Sequence, residues 1–138
     1  MKHPELWNSF IEDVYYSFID DEKKSFFSDE HKNAIIAFAY DAEINSGGHI
    51  TFFDCFGNVF SVDDVAEALR IVGGEKFAAN FMSAAEHISY DEELGYIDTN
   101  KGANFDPVED FTYYKMSPTL PDLLEKYIYE NKSCVFKG

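Results

Sequence analysis

Twelve consecutive residues, Asn33 to Ile44, leave this chain little choice about its interior. Ala34, Ile35, Ile36, Ala37, Phe38, Ala39, Tyr40 and Ala42 place apolar side chains around most of a helical circumference. A helix with so narrow a polar face is buried nearly all round, so the pattern predicts a central helix wrapped by other elements. The rest of the chain can supply the wrapping. A chain of 138 residues is one domain by length, and a domain of that size buries about 68% of its unfolded surface. Fourteen Phe and nine Tyr exclude intrinsic disorder. The expected fold is all-α: a compact multi-helix single domain over residues 1–138, with a long acidic loop near 89–107.

The wrapping elements are amphipathic. Trp7, Phe10, Ile11, Val14, Tyr15 and Phe18 follow the i, i+3, i+4, i+7 rule behind a Pro4 suited to a helix start. Glu5, Glu12, Asp13 and Asp20 then share the opposite face, and the helix should end near Asp20–Lys24. Ser28 reads as the N-cap of the central helix, which Gly47-Gly48 should stop. After that pair, His49 to Phe56 suits a short helix or a strand equally. Ser61 opens a further helix with Val62, Val65, Ala66, Leu69 and Val72 inward and Asp63, Asp64 and Glu67 outward. Gly73-Gly74 breaks it and Glu75 to Ile88 resumes, which reads as an αα-hairpin. Periodicity fails from Ser89 to Pro107, where charge and glycine take over. Val108 to Met116 is short and aromatic, and a last helix should run to about Asn131 with Leu123, Leu124, Tyr127 and Ile128 inward.

Charge then restricts function. Twenty-six Asp and Glu oppose eleven Lys and Arg, a net −15. Such a chain cannot neutralise phosphates, so no direct binding to nucleic acid or to an anionic membrane is expected. No apolar run approaches the roughly 18 residues of a membrane span, and the N-terminus does not read as a signal-peptide core. Cys55 and Cys134 make no disulfide framework and suit a reduced, cytoplasmic setting.

No reaction emerges from the remaining groups, and neither a cofactor nor catalysis is expected. A helix-turn-helix at 61–88 would need cations on its second helix, which offers only Lys76. An EF-hand starting at Asp98 would use Asn100, Asn104, Asp106 and Glu109, but Gly102 and Ala103 occupy positions that want an oxygen ligand and a glycine. A solvated acidic loop is the better reading, with at most weak cation binding. Cys55 with His49 is the one tempting nucleophile–base pair. Cys55 nevertheless follows Asp54 and sits among phenylalanines, the wrong surroundings for a reactive thiolate. His3, His31, His49 and His87 show no metal-ligand spacing. The expected contact surface is therefore carboxylate: Glu5, Glu12, Asp20, Asp63, Asp64, Glu67, Asp91, Glu92, Glu93 and Asp98. Residues 86–110 alone carry eight carboxylates against Lys101.

The stretch Ile-Asn-Ser-Gly-Gly-His-Ile-Thr-Phe-Phe-Asp-Cys-Phe-Gly, residues 44–57, resembles the central motif of the bacterial DNA-mimic protein family, a domain of otherwise unknown function. The likeness continues through Glu67-Ala68-Leu69 and Gly73-Gly74 and closes with Leu123 to Asn131, about residues 28–131 in all. Ser46, His49, Thr51 and Cys55 stand where the family usually has Asn, Phe, Gln and Asn, and Gly57 comes one position early, as in a diverged member. The resemblance implies an acidic all-helical homodimer that binds a basic DNA-binding protein, such as a transcription regulator, in place of DNA. An immunity- or antitoxin-type inhibitor of a basic nuclease or toxin would use the same electrostatics. A homodimer should avoid the carboxylates and meet through the 49–60 segment around Phe52 and Phe56, or through the C-terminal helix with Tyr127 and Tyr129.

Overall fold

The computed structural model describes residues 1–101 and 107–136. The chain is predominantly helical. It begins with α1 (Pro4–Ser9), a π-helical turn (Phe10–Tyr15) and α2 (Tyr16–Asp20), which run on as one rod. The long α3 (Asp29–Phe56) follows, then α4 (Val62–Gly73) and α5 (Glu75–His87). Strands β1 (Ile88–Asp91) and β2 (Gly95–Asp98) precede α6 (Val108–Tyr114), α7 (Leu120–Glu130) and α8 (Lys132–Val135).

The first half of α3 is the centre its composition demands. Ala34 to Ala37, Ala39, Tyr40 and Ile44 are wholly buried, with α4, α7, α8, α6 and β2 packed around the helix. Ser28 caps it as expected, its Oγ accepting from His31 N at 2.9 Å. The same hydroxyl donates to the Cys134 carbonyl at 2.6 Å and ties α8 to the start of α3. Ser61 caps α4 in the same way, and Thr119 caps α7.

Gly47-Gly48 does not end α3. Gly47 (φ −164°, ψ 17°) and Gly48 (φ +85°, ψ −172°) kink it, and the helix resumes to Phe56. The half-helix after the kink has its own orphan N–H groups. That of His49 finds the Asp110 carboxylate, 61 residues away on α6, at 2.9 Å. A carboxylate at a helix N-terminus satisfies a donor and complements the dipole together.

The acidic stretch after α5 is ordered at its start. Ile88–Asp91 pairs antiparallel with Gly95–Asp98 in the register Ile88↔Asp98 to Asp91↔Gly95. Asp91 Oδ1 accepts from Glu93 N at 2.9 Å and Leu94 N at 3.0 Å, and Gly95 takes φ +82° to close the turn. Tyr90 and Tyr96 face each other across the strands with ring centroids 5.3 Å apart. Tyr96 packs on Phe53 of α3 at 5.7 Å. Residues 89–98 are therefore a hairpin docked on the central helix, not an irregular loop. The expected loop positions 102–106 lie outside the described residues.

The aromatic richness is largely consumed internally. Phe52 and Phe56 are 1% and 7% exposed and pack with Phe53, Phe60 and Phe81. This corrects the expectation of a dimer face at 49–60, because those rings point into the protein's own core. Tyr15 and Tyr113 are buried, whereas Tyr16, Tyr114 and Tyr129 stay exposed.

Candidate functional site

The carboxylate surface survives folding unevenly. Glu5, Glu12 and Asp20 are all exposed along the α1–α2 rod, because Phe10, Val14, Tyr15 and Phe18 turn the opposite face into the core. On α4 the picture changes. Asp64 is paired with Lys32 at 2.9 Å and Glu67 with Arg70 at 2.9 Å, leaving Asp63 outward. Arg70 also reaches Glu75 across the Gly74 break at 2.7 Å, and its two carboxylates push the guanidinium pKa up. In the hairpin, Glu92 and Glu93 are exposed, while Asp91 is half-buried and engaged in its turn.

Asp98 does not belong to this surface. It is 1% exposed and accepts from His87 Nδ1 at 3.0 Å and Asn100 N at 2.9 Å. Burial in α5's C-terminal neighbourhood is compensated by that imidazole, which removes the carboxylate from any partner. Glu109 and Asp110 are withdrawn likewise, at 5% and 2% exposure. The strongly acidic stretch thus turns three of its carboxylates inward, and Asp106 lies outside the described residues.

Two inward clusters result, both organised by α6. In the first, His87 joins α5, β2 and α6, with Nδ1 on Asp98 and Nε2 on Glu109 Oε1 at 2.8 Å. Ser83 Oγ donates to Glu109 Oε2 at 2.7 Å, and Asn80 Nδ2 donates to the Glu109 carbonyl at 3.0 Å. Burial opposes ionisation of Glu109, but the Ser83 and His87 hydrogen bonds outweigh it and hold its pKa below the usual value. This arrangement also dissolves the EF-hand pattern, whose first and last ligands, Asp98 and Glu109, both face His87.

In the second cluster, Asp110 accepts from both the backbone N–H and Nδ1 of His49. With Nδ1 donating, Nε2 is left to accept from the Tyr40 hydroxyl. Burial, reinforced by Asp110, pushes the Tyr40 pKa well up. Nearby, Tyr113 donates to Asp41, and Tyr114 donates to the Ile44 carbonyl at 2.6 Å. A tyrosine–histidine–aspartate chain has the connectivity of a proton relay, but Tyr40 and His49 are both fully enclosed. The chain fastens α6 to the kink in α3. The tempting pair of Cys55 and His49 is not assembled. Cys55 is exposed, 3.4 Å from Glu43, and its pKa is raised by desolvation first and by Glu43 second, the opposite of activation.

Sequence reasoning missed these clusters because each joins residues far apart in the chain. The available signal was the pair Glu109-Asp110 in the first turn of an aromatic helix, where carboxylates complement a helix N-terminus. Lys76, the one cation of the αα-hairpin's second helix, donates to the Ser117 carbonyl at 2.9 Å and is not presented to phosphate. No helix among the described residues is long and apolar enough to cross a membrane.

Fold and surface together define an acidic, predominantly helical domain with two inward histidine–carboxylate clusters and exposed carboxylates on its rod, α4 and hairpin. The chain belongs to the DMP19-like protein family, whose model matches residues 25–131. No curated protein and no solved structure matches it.

Proposed function

We propose that this protein is an acidic protein-binding module that acts as a DNA mimic, occupying the nucleic-acid-binding surface of a basic partner such as a transcription regulator. The observation that carries the reading is the exposed line of Glu5, Glu12 and Asp20 along one rod in a chain of net charge −15. Carboxylates seven or eight positions apart on a helix lie about 10–12 Å apart along its axis. Phosphates three apart on one strand advance by about 10 Å. Membership in the DMP19-like family supports the same reading. Asp63, Glu92 and Glu93 extend the negative field, while Asp64, Glu67 and Asp91 contribute less because cations or turn amides already engage them.

The protein acts as a homodimer, which doubles the charge array presented to one partner. The C-terminal helix with Tyr129 is the surface for it, since Tyr129 is 44% exposed and carboxylate-rich faces would repel their own copy. Capture of the partner followed by salt titration tests the module. The complex should weaken steeply with salt and be displaced by duplex DNA, and a salt-insensitive complex indifferent to DNA refutes mimicry. Light scattering tests the dimer: a mass near 15.8 kDa at both low and high salt excludes it.

A further inference from the structure

Between the α1–α2 rod and the start of α3 lies a cleft of about 470 Å³. Asp13, on the π-helical turn, and Asp21, just past α2, stand on its rim, and both are exposed. Its walls are aromatic. Phe26 stacks on Phe18 at 5.0 Å and 12°, Phe27 lies 3.8 Å from the His31 ring, and Phe136 closes one side. His31 is 5% exposed, lines the cleft, and its Nδ1 has no hydrogen-bond partner.

We propose that this cleft is an arginine-binding site that takes a guanidinium side chain from the basic partner. The inference rests on the reading of the partner as a basic protein, and it names the residue type by which that partner is held. Three observations select the ligand. Two rim carboxylates exclude an anion and attract a cation. Phenylalanine faces attract a planar, weakly hydrated guanidinium, which stacks as well as pairs, better than a compact ammonium. His31 adds a further aromatic ring to the lining. Burial holds its pKa down at about 4, so at neutral pH the ring is uncharged and does not repel a cation.

The nearby cations do not fill the cleft. Lys24 Nζ donates to the Ile19 and Asp21 carbonyls, at 3.0 and 3.1 Å. Lys32 is paired with Asp64 and stands 5.7 Å over Phe26, whose ring is also stacked on Phe18, so the open ring of the cleft is the exposed Phe27. One oxygen of Asp21 accepts from Lys23 N at 3.0 Å, leaving the other for a ligand. Asp13, Phe18, Asp21 and Phe136 fall outside the family-matched stretch 25–131, whereas Phe26, Phe27 and His31 fall inside it.

The test is an NMR titration of the full isotope-labelled chain with Nα-acetyl-arginine amide, and in parallel with its lysine and citrulline counterparts. The arginine probe should produce saturable shifts at His31 and Phe27. Citrulline, neutral and nearly isosteric, should not saturate, and lysine should bind more weakly. Losing charge-assisted contacts in an Asp13→Asn/Asp21→Asn variant should cost about tenfold in affinity. Phe27→Ala should weaken the arginine probe while leaving resonances remote from the cleft in place. Absence of saturable shifts at the cleft, equal binding of citrulline or lysine, or unchanged affinity in the double variant each overturns the proposal. These outcomes are separate from the wider reading. A cleft indifferent to arginine beside a partner complex that still dissolves in salt removes this site alone.

Discussion

A Gly48→Ala substitution would place a methyl carbon well inside contact distance of Asp110 Oδ2, at the kink of α3. Two costs add. The dihedrals φ +85° and ψ −172° lie in a region essentially reserved for glycine, where another residue is strained by about 1–3 kcal/mol. Asp110 cannot move aside without leaving the backbone and ring donors of His49, and disrupting hydrogen bonds to a buried charged group costs about 1.5–3 kcal/mol. The expected loss is about 3–5 kcal/mol, a large part of the 5–15 kcal/mol by which a domain is held. Gly74 separates the two terms. Its dihedrals are close, φ +103° and ψ 174°, but nothing lies within 4 Å of an added Cβ, so Gly74→Ala measures the backbone strain alone. Urea unfolding of both variants, extrapolated linearly, gives the comparison. Asp110→Ala in the Gly48→Ala background should cost less than the sum of the singles by about 1–2 kcal/mol, since the clash is then gone. A Gly48→Ala loss no greater than that of Gly74→Ala would refute the capping role of Asp110.

The lowered pKa of His31, about 4 against an ordinary 6.5, makes the unfolded chain the better proton binder between those values. Stability should therefore fall as pH drops through that window, by about 3 kcal/mol in all at about 1.4 kcal/mol per pH unit. Urea midpoints at pH 7 and 4.5 check this, and His31→Phe should flatten the slope. Glu109→Gln removes an acceptor shared by Ser83 and His87 and should cost about 1–3 kcal/mol in the same assay. Cys55→Ser should change stability by less than about 0.5 kcal/mol because the position is exposed and weakly bonded. Alkylation of Cys55, followed by mass spectrometry, should be slower than for an unperturbed thiol, because desolvation and Glu43 raise its pKa.

What was legible in the sequence was whatever depends on neighbours along the chain. The burial of 33–44, the caps Ser28 and Ser61, and the break at Gly73-Gly74 all follow from local pattern, as does the outward stripe Glu5, Glu12 and Asp20. The hairpin was obscured because Ser89-Tyr90 and Tyr96-Ile97 are short and embedded in charge, so turn residues dominated the window. Asp98 reads as surface, and the burial of Glu109 and Asp110 is invisible, because their compensating partners, His87 and His49, come from other elements. Gly47-Gly48 read as a stop because the cap that restarts the helix arrives from α6. The cleft behind Asp13 and Asp21 was equally hidden, as its walls come from three separate segments.

The family signature and the hydrophobic core do not share boundaries. Phe10, Val14, Tyr15 and Phe18 precede the matched residues and Val135 follows them, yet all five are buried among the rest. The matched stretch is thus part of a larger packing unit that extends past both of its ends. The inward edge of the α1–α2 rod must match the core, while its outward edge carries no such packing constraint. Charge can therefore be added or removed at Glu5, Glu12 or Asp20 without disturbing the packing beneath them.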